Sequence, residues 1–391
     1  MNQSKLLDVM RFYGVSKPMR GSGNNGRIVN VDLEDTLGDH FFAKKFPNDS
    51  EDKRHMQLRR TIRPMKSYRF TNLSPAQQAD VMKDDNGWIG ELKRNGWRII
   101  VTHIPGDPLH FFGGNLSTTE FLPVDYTYHL PVMRISHPTP LMLDCEAVCF
   151  DTVIQQDGYP STDTREAVAA ILGCGAETAI HLQQDVRVDF KCFDSIPNKP
   201  MTLSARKKIL STIDFSTTNI TIEKHYAANK KKVLTRFWKA QEEGMILKNV
   251  SSDYDSGGRK RTHSIKIKKS AASLFGDTID TFVSGFVLTD VWSYKDLIGG
   301  LELSVYIEDE PHVIATITNL TDHMRYSLTE IVKGLPVLVE DAYDKVLEID
   351  GQELSTRNRL LMHAVLVTGE FRTDKNASEC TMEWSDFGSK F

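Results

Sequence analysis

Apolar and polar positions alternate in short runs along most of this chain. The segments WIGELKRNGWRIIVTHI (88–104), LMLDCEAVCF (141–150), RVDFKCFDSI (187–196), GMILKNV (244–250) and SIKIKK (264–269) are rich in Val, Ile and Phe. Bounded by turn residues, they read as strands. Between them, TREAVAAIL (164–172) and LSARKKILSTI (203–213) repeat apolar residues at helical spacing. Residues 62–270 are therefore expected to form a mixed α+β domain with antiparallel sheets. From 271 to 391 the runs FVSGFVL, LELSVYI, VIATI, LPVLVE and HAVLVTGEF predict short strands, with one helix near Leu328–Lys333. That pattern suits a small β-barrel. Residues 1–61 differ. A short helical pattern (Leu6, Leu7, Met10, Phe12) precedes a Gly/Asn-rich turn at Gly21–Gly26, and the polar stretch PNDSEDKRHMQLRR predicts a linker or an exposed helix. This region reads as a small appendage.

Length and composition fit that division. A chain of 391 residues, 40% hydrophobic and 26% charged, can bury two cores. Its net charge of −4 does not exclude a polyanionic partner, because a basic groove can coexist with acidic outer faces. Five scattered cysteines without a CxxC pair argue against a disulfide framework or a zinc site and suit a reducing compartment. Cys145 and Cys149 read as small buried hydrophobes on a strand. No run approaches the roughly 18 apolar residues of a membrane span, and the first residues lack a signal-peptide core. The expectation is an intracellular, soluble protein of the cytoplasm or of a viral replication compartment.

The chemistry starts at Glu91-Leu92-Lys93-Arg94-Asn95-Gly96-Trp97-Arg98, where a lysine leaves a strand into an Asn-Gly turn. Alone this is an ordinary basic hairpin. Downstream, in order, follow Asp144-Cys145-Glu146, Phe193-Asp194, Glu243-Gly244-Met245-Ile246-Leu247-Lys248, Lys266-Ile267-Lys268 (preceded by Tyr254, Gly258 and Arg259) and Arg372-Thr373-Asp374-Lys375; Arg63-Pro64-Met65 stands upstream. A lysine attacks phosphorus only as a neutral amine, whereas its ordinary pKa is about 10.4. Neighbouring cations or a metal lower that value, and Lys266 and Lys268, on one face of a strand, can supply the potential and offset charge on a transferring phosphate. Glu146 and Glu243 offer hard oxygens to Mg²⁺. Singly, each has a plainer reading: Phe193 as core, the glutamates as surface partners of lysines, and the lysine pair as a solvated edge strand.

As an ordered set, these segments resemble the nucleotidyltransferase motifs of the ATP-dependent DNA ligases, compact phage and viral enzymes among them. The resemblance runs from about residue 62 to 380. It implies an adenylation domain followed by an OB-fold barrel, with Lys93 carrying AMP. It also implies ATP contacts from Glu91 (adenine amino group), Phe193 (stacking), Glu146 (ribose side), Arg98 and Lys248, and from Arg372, Asp374 and Lys375 when a mobile second domain closes. Mg²⁺ and ATP are the implied cofactors. Nicked duplex DNA is the implied partner, with RNA-containing duplexes as a further class, no membrane and a monomeric state. Asn95 and the cluster Arg259-Lys260-Arg261 are expected at the nucleic acid; Arg206-Lys207-Lys208 and Lys230-Lys231-Lys232 are expected to track phosphates. Asn95 stands where the family has Asp, and Cys145 where it has Gly. No arginine occurs in Phe112-Gly113-Gly114-Asn115, where the family has one. An RNA ligase of the same superfamily and a non-catalytic nucleic-acid-binding relative are the alternatives.

Overall fold

The computed structural model describes residues 3–16, 18, 28–149, 154–156, 159–161, 164–240, 242–268, 278–289, 294–351, 359–361 and 364–384; the Gly21–Gly26 turn lies outside them. The chain divides into two compact units, Met1–Val153 with Thr162–Lys268, and Ile154–Ser161 with Lys269–Phe391.

In the first unit, alternation along three strands sorts core from site. Strands β2 (Trp88–Lys93), β12 (Gly244–Asn249) and β13 (Ser264–Lys268) are antiparallel neighbours, flanked by β1 (Tyr68–Arg69) and β11 (His225–Tyr226). Trp88, Met245, Leu247, Ile265 and Ile267 face one side. There they pack with Val233, Leu234 and Phe237 of helix α8 (Lys230–Lys239). The period of two puts Glu91, Lys93, Lys248, Lys266 and Lys268 on the opposite side. Gly244 faces Lys93 in register, with φ +150; a Cβ there would lie 2.1 Å from the Ile267 carbonyl oxygen. Only glycine lets these backbones approach so closely.

The Asn95-Gly96 turn carries the chain from β2 into a second sheet. Its order is β10 (Ile220–Ile222), β9 (Val188–Ile196), β6 (Leu141–Cys149), β3 (Trp97–His103), β4 (His110–Leu116), β5 (Pro123–Asp125). The sheets are mixed, not wholly antiparallel as expected: β9 pairs with β10, and β1 with β13, in parallel. The first parallel pair follows from a crossover, because helix α7 (Leu203–Leu210) lies between its two strands in the chain. Helices α4 (Pro75–Lys83), α5 (Thr164–Leu172) and α6 (Ala176–Leu182) complete this scaffold.

The described residues before Thr61 include α1 (Gln3–Tyr13), α2 (Asn30–Lys45) and α3 (Glu51–Arg60). Leu6, Met10, Leu33 and Leu37 make a small core with Phe121, whereas Phe12 is exposed. Helix α3, capped by the Ser50 side chain, is not simply an exposed polar helix: its His55, Met56 and Arg59 are buried. Met56 packs on Phe112 and Leu122.

The second unit holds the ribbon β7 (Ile154–Gln156) and β8 (Tyr159–Ser161) and an antiparallel sheet. That sheet has the order β16 (Glu310–Ile317), β15 (Gly300–Ile307), β14 (Ile279–Val287), β19 (Val346–Asp350), β20 (Val365–Leu366). Val283, Leu301, Leu303, Val305, Ile314, Ile317, Leu347 and Ile349 form its core. Among the described residues the sheet is open rather than a closed barrel. The expected helix at Leu328–Lys333 is displaced. Helix α9 spans Asp322–Leu328, started by the Thr321 side chain accepting from the Met324 N–H. The residues after it form the hairpin of β17 (Thr329–Val332) and β18 (Leu335–Leu338). Thr329, Ile331 and Val332 are β-branched, and Gly334, at φ +81, supplies the turn.

Candidate active site

A cleft of about 270 Å³ opens between the two sheets of the first unit, where β2 and β3 part. Glu91, Lys93, Arg98, Asp144, Glu146, Phe193, Lys248, Arg259 and Lys266 all line it. Segments spread over more than 170 residues of chain thus converge on one cavity.

Lys93 ends β2 with its ammonium donating to the Glu243 carboxylate. Lys268 approaches the other oxygen of the same carboxylate at 2.9 Å. Burial works to raise the Glu243 pKa, but Lys93 and Lys268 outweigh it and hold the group below its usual range. Glu146 is different. Burial pushes its carboxyl up to about 7, with Lys93 and Arg98 opposing and the charges of Glu243 and Asp144 adding to the rise. Burial, with Lys268 and Lys93 close by, draws the Lys266 ammonium down to about 8. The fold thus brings Lys93, Glu146, Glu243, Lys266 and Lys268 within electrostatic reach of one another.

At the other end, Glu91 is 2% exposed. It pairs with Lys248 at 2.8 Å and with Lys207 of α7. Lys248 also donates to the Phe193 carbonyl oxygen (3.2 Å) and lies 4.3 Å from the centre of the Phe193 ring. Phe193 owes its place to a β-bulge. Asp144 pairs in register with Asp194 but Cys145 with Cys192, so Phe193 is the extra residue on β9, and a bulge re-aims a side chain.

Arg98 is locked within the wall. It donates to both Asp144 oxygens (2.8 and 2.5 Å) and to the Met65 carbonyl (2.6 Å), while the Tyr254 hydroxyl donates to Asp144 at 2.7 Å. Its carboxylate partner makes it a fixed support more than a free ligand for phosphate. Asp194 forms a buried, two-bond pair with Arg206.

The basic runs separate. Arg206 is wholly buried, Lys207 is paired with Glu91, and only Lys208 of that run is exposed; Lys230 is likewise buried, donating to Asp85 and to the Asp84 and Ala227 carbonyls. The expectation that these runs track phosphates fails at Arg206, Lys207 and Lys230. Helix periodicity explains why: Arg206 shares a face with Leu203 and Leu210, the side of α7 packed on the sheet. Arg259, Lys260 and Arg261 are exposed, with Lys260 3.3 Å from Asp255. Asn95 is partly buried in the turn after Lys93. In the second unit, Arg372 and Lys375 both bind Asp280 (2.8 and 2.6 Å) and Arg372 also binds Asp374 (2.6 Å), so the R-x-D-K segment is one ion-pair network.

Sequence reading missed three contributors. Lys207 lay hidden in a run of like charges. Arg94 lines the cleft paired with the buried Glu223 (2.8 Å), a contact between residues far apart in the chain. Arg59 of α3, fully buried, donates to the carbonyls of Gly113 (2.7 Å) and Ile62 (2.6 Å). An arginine therefore does stand at Gly113, brought from the N-terminal helices, though it points into the body of the unit.

Among the described residues no three His, Cys, Asp or Glu side chains gather into a metal cluster. Glu146 and Glu243 alone would leave most positions of a divalent ion to phosphate and water, an arrangement Mg²⁺ favours. The raised Glu146 carboxyl is a donor whose charge lacks full compensation. On this observation the pair fits such an ion. No helix among the described residues is long and apolar enough to cross a membrane.

No curated protein matches the sequence. Among solved structures, a Lig E DNA ligase from work on DNA binding with a minimal scaffold shares 12% identity at a TM-score of 0.50, over 79% of this chain and 98% of that one. Mycobacterial DNA ligase D with ATP shares 18% (TM-score 0.37; 83% and 99% covered), and the bacteriophage T7 ATP-dependent DNA ligase with ATP 14% (TM-score 0.37; 79% and 98% covered). At 12% identity the first likeness is one of fold. The family model for the ATP dependent DNA ligase domain matches residues 64–268, more than half the chain and the span that builds the whole cleft. The chain belongs to the ATP-dependent DNA ligase family.

Proposed function

We propose that this ligase seals nicks bearing a 5′-phosphate and a 3′-hydroxyl in duplex DNA, through a covalent AMP on Lys93. The Lys93 amine attacks the α-phosphorus of ATP, forms a P–N bond and releases pyrophosphate. The 5′-phosphate oxygen of the nick then takes AMP from Lys93. Finally the 3′-hydroxyl attacks that activated phosphate, forms the phosphodiester and expels AMP. The observation that carries this reading is the placement of Lys93 beside Glu243, with Lys268 on the same carboxylate and Lys266 and Glu146 near by.

Phe193 and Glu91 form the base end of the cleft, Phe193 for stacking and Glu91 for the 6-amino group of adenine. Glu146 lies toward the ribose, and Lys266 and Lys268 face the α-phosphate, where they offset charge as it develops. Lys248 is shared between base and phosphate ends, and Arg98 holds Asp144 and Met65 in the wall. Glu146 and Glu243 are the carboxylates that would hold Mg²⁺, which neutralises triphosphate charge when bound. Asn95 and the exposed Arg259, Lys260 and Arg261 meet the nucleic acid backbone. Residues 62–270 act as the adenylation domain and 271–391 as an OB-fold domain, the described five-stranded sheet being its main part. Arg372, Asp374 and Lys375 serve the ATP-loading step. The protein acts as a monomer.

The test uses the full chain with Mg²⁺ and α-labelled ATP or GTP, followed by denaturation. Label from ATP is expected on the wild type and none on Lys93→Ala. Persistence of label on the variant would refute the choice of nucleophile, and label from GTP alone would point to a capping enzyme. Sealing assays on DNA–DNA, DNA–RNA and RNA–RNA nicks then separate DNA from RNA ligation.

A further inference from the structure

Behind Glu91, at the base end of the cleft, stands a cation that the reaction leaves without a task. Lys207 comes from α7, outside every motif segment, yet its side chain is only 11% exposed and ends on the buried Glu91 carboxylate. A salt bridge made only for stability gains little from being placed here, since burying both charges forfeits the hydration of each ion. Its position suggests recognition instead.

Resting on the reading that Glu91 meets the purine 6-position, we propose that Lys207 is a specificity-determining residue: it keeps Glu91 an anion, able only to accept hydrogen bonds, so that the cleft takes a 6-amino purine and rejects a 6-oxo purine.

The chemistry follows from donor and acceptor counts. Adenine presents a donor at position 6; guanine and hypoxanthine present an acceptor. A carboxylate anion has no proton to give, so it accepts from the amino group and repels a carbonyl oxygen. A protonated carboxyl can donate to that oxygen and loses the distinction. Glu91 is 2% exposed, and burial alone drives a carboxyl toward its neutral form. Here Lys207 and Lys248 oppose that drift, and the group is held below its usual pKa. The two lysines are not equivalent. Lys248 lines the cleft and rests 4.3 Å from the centre of the Phe193 ring, so a purine stacked there competes with Glu91 for its ammonium. Lys207 approaches from α7 and is not part of the cleft lining, so a bound base leaves it in place as the counter-ion. The other titratable groups facing this pair are His225 of β11, in register with Glu91, and Asp194 and Cys192 of β9, which act on Lys207; burial and then the charge on Lys207 and Lys248 lower the His225 pKa, with Glu91 opposing.

The experiment compares ATP with ITP, which differ at position 6 and N1, as donors for labelling Lys93 in the full-length protein with Mg²⁺. The rate ratio in the wild type should favour ATP at least tenfold. Lys207→Met should reduce that ratio by tenfold or more, and further as pH falls from 8 to 6, while Lys207→Arg should restore it. Lys207→Gln, which keeps a donor and loses only the charge, replaces the Met variant if that one lacks a cooperative melt. A ratio unchanged in a variant that still labels overturns the proposal. Without any variant, purine riboside triphosphate, which has no 6-substituent, should load faster than ITP in the wild type; equal or slower loading also overturns it. Absence of any label from ATP on the wild type would instead remove the Lys93 reading underneath.

Discussion

Glu146 shows how a side chain that lines the cleft can carry a stability cost. An unfolded glutamate releases its proton near pH 4.3; the folded one does so near 7, chiefly because of burial. Between those values the folded state binds the extra proton, so stability falls as pH rises through that window and stays low above it. Glu146→Gln removes the effect. The variant should melt above the wild type at pH 8 by the equivalent of about 1 kcal/mol, a modest figure because the side chain is partly exposed. The difference should vanish by pH 4. Calorimetry at both pH values checks this, and equal melting at pH 8 would refute the uncompensated carboxyl. The same variant should load ATP poorly, separating stability from function at one position.

At the level of elements, α3 couples residues outside the family match to the cleft wall. Arg59 bonds to Gly113 and Ile62, and the chain just beyond, at Met65, is held by Arg98 and by the Tyr254 hydroxyl. Lys66 and Ser67 follow directly as cleft lining. Arg59→Met should lower stability by about 3 kcal/mol, since several charge-assisted bonds are lost in a buried place. It should also slow ATP loading through the displaced wall. Urea denaturation gives the first quantity and labelling the second; full loading with reduced stability would confine α3 to a structural role. The periodicity of α1 was legible in the sequence, whereas the burial of Arg59 was not, because the polar run around it carries the same signature as an exposed helix.

For the whole molecule, the expectation concerns separate steps. Arg372, Asp374 and Lys375 form one network with Asp280 in the second unit. Arg372→Ala should reduce Lys93 labelling at least tenfold, yet leave sealing of a pre-adenylylated nick near the wild-type rate. Equal loss in both assays would assign the segment to folding of its unit, and no loss in either would remove it from the reaction. A covalent lock between the two units extends the test, with ATP loading as the step expected to stop.

The sequence alone determined the order of motif segments, the strand character of the runs that carry them, and that SIKIKK bears both its lysines Lys266 and Lys268 on one face, because alternation is local and each strand needs only its own residues to display it. It also determined that Lys93 should leave a strand into a tight turn. Tertiary structure decided everything that depends on partners distant in the chain. The bulge that turns out Phe193, the two parallel pairings, the inward Arg206 and Lys207, and Arg59 at Gly113 all arise from backbone registers and ion pairs between remote segments. A lysine in a basic run looks the same whether it meets water or a buried carboxylate; only folding chooses, by setting whether a counter-charge lies within reach.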